Sequence, residues 1–419
     1  MKTHFCRSCH HSLGQPVLDL GYTAPSNSLR SQIQMESPEV SYPLRIFVCQ
    51  NCWLLQTQDV VKREDLFSAD YHYFSSISSS WLRHCETFVK EISSEMSLNS
   101  KSLVFEIASN DGYLLQFFKS LGVPCIGVEP TESTANESRK RGIETISDFF
   151  SSALANSLTQ TYGNADLIIC NNVYAHVPDI NDFTLGISIL LGTEGVCTIE
   201  FPHLLNLIKF REIDTIYHEH FSYLSLIAVE SIMERNGLKI FKVEEISTHG
   251  GSLRIYVSNK KNHRIVDESV QKIREEEISF GLTSIKTFTE LGEIASSIKY
   301  ELLTFLLSEK NANRKVAAIG AAAKGNTLLN YARVGSDLIT YVVDRSPAKQ
   351  GKFLPFSHIP VVSPERLLED PPDSVLILPW NLAEELIQDY QSLIPSDSEI
   401  YVSIPALKKI KRGSANLAN

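Results

Sequence analysis

The chain has 419 residues, 43% of them hydrophobic, and a formal net charge of -10. That length exceeds one ordinary hydrophobic core, so two or three domains are expected. The acidic balance argues against a broad phosphate-tracking surface, and so against nucleic acid as a partner, while leaving room for a small basic pocket.

No apolar run reaches the roughly 20 residues that span a bilayer. The start, Met1-Lys2-Thr3-His4-Phe5-Cys6, lacks the apolar core of a signal peptide. The expectation is a cytoplasmic protein without a membrane partner. In that compartment the eight cysteines read as thiols or metal ligands rather than disulfides.

Residues 1–60 carry Cys6-Arg7-Ser8-Cys9 and Cys49-Gln50-Asn51-Cys52. Two Cys-x-x-Cys turns are what tetrahedral zinc requires, because each brings two thiolates to one edge of the metal. The alternatives are incidental thiols, or a set that includes His4, His10 or His11. With four sulfurs no position remains for water, so the predicted Zn2+ is structural rather than catalytic. Cys85, Cys125, Cys170 and Cys197 stand singly and read as packing residues.

Residues 61–100 read as a polar, mostly helical linker. Within it Asp70-Tyr71-His72-Tyr73-Phe74 is an aromatic cluster that, taken alone, suits packing as well as a site.

Residues 101–260 read as a doubly wound α/β domain. Its organising stretch is Leu103 to Gly112. Val104, Phe105 and Ile107 suit a strand covered on both faces. Asn110, Asp111 and Gly112 are turn formers, and helical apolar spacing follows from Tyr113 to Leu121. A ligand binds at the carboxyl end of such a strand. Glu106 is an acid inside an apolar strand. The next strand, Pro124 to Glu129, ends in a second carboxylate about 20 residues on, the offset of a group that holds a ribose. Dinucleotide binding needs three spaced glycines, yet Ala108, Ser109 and Asn110 fill this loop. S-adenosylmethionine, which has no pyrophosphate, fits better; a capped loop without a ligand is the bland alternative. Asn171 and Asn172 end another apolar strand over the same crevice, and His176 follows them.

The densest polar-aromatic cluster is Ile216-Tyr217-His218-Glu219-His220-Phe221-Ser222-Tyr223. A metal site using His218 and His220, a solvated loop and a proton-transfer site compete for it. Proton transfer is favoured, because histidine titrates near neutral pH and a neighbouring carboxylate or tyrosine can fix its tautomer.

Residues 261–312 read as a charged helical connector. Residues 313–410 repeat the strand, loop, helix, strand logic: Lys315 to Ile319, then Gly320 to Asn326, then Thr340 to Asp344. The small-residue loop with Lys324 suits a phosphate at a helix N-terminus or, equally, a tight packing turn.

Taken in order, the two knuckles, Glu-Ile-x-Ser-Asn-Asp-Gly (106–112), Tyr-His-Glu-His-Phe-Ser-Tyr (217–223) and Gly-Ala-x-Ala-Lys-Gly-Asn-Thr (320–327) resemble the zinc-containing, S-adenosylmethionine-dependent sugar C-methyltransferases of deoxysugar biosynthesis. The resemblance runs essentially end to end and is weakest over 26–41 and the C-terminal tail. It implies an α/β fold: a class I methyltransferase Rossmann-like domain flanked by a small N-terminal zinc-binding domain and a C-terminal Rossmann-like domain. It implies methylation of a nucleotide-linked keto-deoxysugar, at C-3 in the family. It implies His220 as general base, with Glu219, Tyr217, His176 and Tyr71 around it. Glu106, Asn110 and Glu129 become cofactor contacts, with Gly112, Asn171 and Asn172 in the same crevice. Lys324 and Asn326 fall on the nucleotide-sugar side, and Cys6, Cys9, Cys49 and Cys52 hold zinc. Ala108 stands where the family usually has glycine. The rival readings are a zinc-ribbon methyltransferase acting on RNA, a nicotinamide oxidoreductase, and a metal-stabilised scaffold without activity. The sequence sets no oligomeric state.

Overall fold

The computed structural model describes residues 4–61, 66 and 74–412. Tyr71 lies outside them. The chain divides into two compact units, neither contiguous in sequence: Met1–Gly14, Cys49–His203 and Phe221–Thr283 form the first; Gln15–Val48, Leu204–His220 and Ser284–Asn419 form the second.

The first unit is built on a seven-stranded sheet. In chain order its strands are β1 (Val104–Ile107), β2 (Cys125–Val128), β3 (Glu144–Ile146), β4 (Ala165–Asn171), β5 (Leu191–Pro202), β6 (Leu238–Ile246) and β7 (Ser252–Asn259), arranged β3-β2-β1-β4-β5-β7-β6. The first five run parallel, and β7 is antiparallel to both β5 and β6. Alternation along β1 sends Phe105 and Ile107 to one face, among Ile168, Cys170, Ile199 and Phe201. Val104 faces the other way, with Leu167, Ile169, Phe118 and the helix residues Cys85, Phe88 and Val89. Burial on both faces explains why β1 and β4 read as nearly unbroken apolar runs. Parallel pairing aligns the carboxyl ends of β1, β2 and β4, with Glu106 opposite Gly127 and Ile169.

Local signals set the helix ends. Ser78, Ser151 and Ser225 each accept a hydrogen bond from the backbone N–H three residues on, opening helices Ser79–Glu95, Ser152–Tyr162 and Leu226–Arg235. Glu277 departs from its solvated neighbours. It is fully buried, accepts from the N–H groups of Leu226 and Ile227 at 2.6 and 2.9 Å, and pairs with His203 at 2.7 Å. A run of three glutamates therefore hides one that closes a helix N-terminus.

The second unit holds a six-stranded sheet: β8 (Val316–Ile319), β9 (Val342–Val343), β10 (Val361–Val362), β11 (Ser374–Ile377), β12 (Glu399–Val402) and β13 (Lys408–Ile410), in the order β10-β9-β8-β11-β12-β13. Only β13 is antiparallel to its neighbour. The hairpin of strands Leu18–Thr23 and Tyr42–Val48 belongs to this unit. Among the described residues no helix is long and apolar enough to cross a membrane.

Candidate active site

In the first unit the loop after β1 is a chain of left-handed residues: Ala108 at φ 59°, Asn110 at 49° and Gly112 at 76°. The Glu129 carboxylate organises it. One oxygen accepts from the Asn110 N–H and the other from the Thr131 N–H, both at 2.9 Å. The Thr131 and Thr134 hydroxyls also donate to this carboxylate, the type of acceptor that a ribose diol needs. Burial holds this carboxyl above its usual range, against the two backbone donors. The Asn110 side-chain oxygen accepts from the Ser75 N–H at 3.0 Å. Asp111 is committed to Ser76 and to Arg141, the latter at 3.0 Å.

Glu106 is fully buried, and among the described residues neither oxygen has a hydrogen-bond partner of good geometry. Burial holds its carboxyl well above the carboxylate range; the Tyr113 hydroxyl acts to lower it, and Glu129 and Asp111 to raise it. The side-chain oxygen of Asn171 is likewise buried and, among the described residues, unpartnered. A Cβ on Gly112 would lie 2.6 Å from Ile143 Cδ1, and one on Gly127 would lie 2.4 Å from Ser109 Oγ. Tight glycine turns, a ribose-competent acid and orphaned polar groups at the carboxyl ends of β1 and β4 suit a phosphate-free adenosyl ligand such as S-adenosylmethionine. Asn172, at φ 53°, donates its N–H to the Glu200 carbonyl at 2.8 Å, and His176 ends the short turn Tyr174–His176.

In the second unit the turn Ile213–Thr215 leads into residues 216–220 of the polar-aromatic motif. His220 Nδ1 lies 2.8 Å from the Thr215 carbonyl oxygen. A carbonyl only accepts, so Nδ1 carries the proton and Nε2 presents its lone pair. The Tyr217 hydroxyl lies 2.8 Å from Nε2, and the two ring centroids are 4.1 Å apart. Glu219 is buried, and both of its oxygens accept from Asn27 Nδ2, at 2.7 and 2.9 Å. Burial pushes its carboxyl up to about 7. His218 is buried edge-on to Tyr42, and burial pushes its imidazole down to about 4.

Lys324 Nζ sits 5.0 Å from the centre of the Trp380 ring and 3.5 Å from the Asn381 side-chain oxygen. The buried acids Glu212 and Asp214 lie in its field, and Asp214 accepts from the Trp380 indole at 2.9 Å. Asn326 turns inward, donating to the Ser26 carbonyl at 2.6 Å. The loop's glycines serve packing: a Cβ on Gly320 or Gly325 would lie 2.6 Å from Pro379 or Leu378. Asp344, the acid after β9, is taken by the Ala321 N–H at 2.9 Å and by Lys349 at 3.3 Å.

The knuckles, in the first unit, share one local geometry. The N–H of the residue after each second cysteine returns to the first cysteine's carbonyl, His10 to Cys6 at 3.0 Å and Trp53 to Cys49 at 2.8 Å. Both closing residues have φ 58°. The Sγ atoms of Cys6 and Cys52 are 3.6 Å apart, those of Cys9 and Cys49 are 3.4 Å apart, and all four lie within 4.8 Å of one another. Four sulfurs at about 2.3 Å from a tetrahedral metal stand roughly 3.8 Å apart, so the set fits such an ion. Among the described residues this is the one cluster of three or more metal-ligating side chains; His218 and His220 gather no third.

Along its length the chain is 31% identical to the C-methyltransferase NovU of Streptomyces niveus, over 409 residues that cover 98% of this chain and 97% of the relative. The chain belongs to the C-methyltransferase family. Three family models match consecutive parts of it: "Putative zinc binding domain" over 6–67, "Methyltransferase domain" over 81–243 and "C-methyltransferase C-terminal domain" over 247–405. An S-adenosylmethionine-dependent methyltransferase structure from Anabaena variabilis matches at 15% identity, 41% of this chain, 83% of that chain and TM-score 0.35. Magnesium protoporphyrin IX methyltransferase from Synechocystis, with S-adenosylmethionine bound, matches at 14%, 48%, 100% and 0.34.

As a member of this family the protein is an S-adenosylmethionine-dependent methyltransferase of α/β fold, with a cysteine cluster in its N-terminal region. Three of the C-methyltransferase's polar contacts escape sequence reasoning: the Thr215 carbonyl, Asn27 and the Glu212–Asp214–Trp380 group. The first is backbone and has no side-chain signature. Asn27 lies 192 residues before its partner, in the stretch where the family resemblance is weakest.

Proposed function

We propose that this C-methyltransferase alkylates the carbon next to the ketone of a nucleotide-linked keto-deoxysugar, with His220 as general base. One observation supports this above the others: the Thr215 carbonyl holds the Nδ1 proton, so Nε2 is the basic nitrogen, and a tyrosine hydroxyl stands at it. A carbon next to a ketone becomes nucleophilic on losing its proton. A positioned base typically contributes about 10²–10⁴-fold to such a step. Nε2 takes the proton, and the Tyr217 hydroxyl or the resulting imidazolium donates to the charge that develops on oxygen. S-adenosylmethionine supplies the electrophilic methyl group. Glu219, His176 and Tyr71 are assigned to the sugar's polar groups, and Lys324 and Asn326 to the nucleotide side. Glu106, Asn110, Gly112, Glu129, Asn171 and Asn172 are assigned to the cofactor. Cys6, Cys9, Cys49 and Cys52 hold a structural Zn2+, since four protein sulfurs leave no coordination position for substrate. The enzyme acts in the cytoplasm, on a small-molecule substrate rather than on nucleic acid or a membrane.

The test is His220→Asn with a panel of nucleotide-linked keto-sugars, read by product mass, alongside calorimetric S-adenosylmethionine binding. Turnover falls by about 10²–10⁴-fold and binding is unchanged. Near-parental turnover in the variant excludes His220 as the base. Cofactor binding by the parent enzyme without methylation of any keto-sugar excludes the substrate class.

A further inference from the structure

Two of the motifs converge on a residue outside both. The helix Ala323–Ala332 follows the small-residue loop of the second unit. Its Thr327 hydroxyl donates to the Ala323 carbonyl at 3.1 Å. With that proton engaged, the 3.0 Å contact between Thr327 Oγ1 and Ser26 Oγ is a bond that Ser26 donates. The Ser26 carbonyl in turn accepts from Asn326 at 2.6 Å. Ser26 is buried and held at both its side chain and its backbone. The turn continues through the Leu29 N–H bonded to the Asn27 carbonyl at 2.9 Å. Asn27 itself is exposed, yet its amide nitrogen bonds both oxygens of the buried Glu219.

We propose that Asn27 is a positioning residue for the methyl transfer: it fixes the Glu219 carboxylate, and Ser26, Asn326 and Thr327 fix Asn27. This rests on the reading of the His220 motif given above. It also gives Asn326 a positioning role beside its assigned place on the nucleotide side, since its Nδ2 is bonded to the Ser26 carbonyl. Burial disfavours the ionised form of Glu219, and Asn27 opposes burial by donating to that form. Tyr217, His218 and His220 are the titratable neighbours in the motif, and among the described residues no charged group on a neighbouring element shifts this carboxyl. A single neutral amide therefore orients this carboxylate and opposes the effect of burial on it.

The test is the pH dependence of kcat for Asn27→Ala and Thr327→Val, with kcat and KM for both substrates and the melting temperature of each variant. In Asn27→Ala the ionisation on the acidic limb moves up by about one pH unit or more. Activity at pH 7 then falls about fivefold or more and recovers above pH 9. KM for S-adenosylmethionine stays within about twofold. Thr327→Val moves the limb in the same direction by less. A purely structural role gives an equal loss at every pH, and that result, or a profile superimposable on the parent's, overturns the proposal. An active His220→Asn enzyme would overturn the base assignment instead, a separate result.

Discussion

Gly112→Ala tests the loop after β1. At φ 76° the added methyl group enters a left-handed backbone that costs an L-residue about 1–2 kcal/mol. The loss of unfolded-chain freedom returns about 0.4–1 kcal/mol. The new Cβ would stand 2.6 Å from Ile143 Cδ1 and 2.8 Å from Ser138 Oγ. Ile143 is buried, and Ser138 cannot turn away without losing its 2.8 Å bond to Thr145. Overpacking of this kind costs about 1–3 kcal/mol. The sum is a destabilisation of about 2–4 kcal/mol, with weaker S-adenosylmethionine binding because Asn110 lies in this turn and its N–H is bonded to Glu129. Ala108→Gly is the control, since Ala108 carries the left-handed penalty already at φ 59°. Relief of that strain less the added unfolded-state entropy gives a gain of about 0.5–1 kcal/mol. Urea unfolding followed by circular dichroism, with calorimetric cofactor titration, measures both. If Gly112→Ala unfolds within 0.5 kcal/mol of the parent (roughly the error of such comparisons), or if Ala108→Gly is destabilised by a similar margin, the geometry assigned to this loop is wrong.

Purified protein is expected to contain about one zinc per chain by atomic absorption. Cys52→Ser lowers that content and the melting temperature together, and equal thermal stability with and without metal removes the structural role. Glu212 gives a pH signature of stability. Burial pushes its carboxyl up to about 8, the Lys324 ammonium acts to lower it and Asp214 to raise it, whereas the unfolded chain titrates near 4.3. The folded protein thus holds this proton more tightly. Its contribution is fully present below about pH 4 and is lost as pH rises through about 8. Glu212→Gln removes that slope, so the variant's melting temperature relative to the parent rises from about pH 4 to about pH 8. A pH-independent difference between the two proteins excludes it.

The order of strand, loop and helix in both α/β units was legible because covered parallel strands demand nearly unbroken apolar runs, as in Val104–Ile107 and Ala165–Asn171. The knuckle spacing was legible because one tight turn satisfies two ligands within four residues. Less legible was the segment between the knuckles. Its hairpin, with Ser26 and Asn27, joins the second unit while the cysteines stay with the first. The glycines of Gly320–Gly325 fit a phosphate or a packing turn equally in sequence, and contact with Leu378 and Pro379 explains them as packing.

By itself, then, the sequence determined the α/β class, the two cysteine turns, the acid after each second strand and the histidine motif, since each is written in residues a few positions apart. Only tertiary structure decided which nitrogen of His220 is basic, which glutamate of Glu275–Glu277 is buried, and that Asn27 answers Glu219. Those depend on backbone carbonyls and on partners 51 to 192 residues away. A hydrogen bond is fixed by distance in space, and nothing in residue spacing encodes it until the chain has closed on itself.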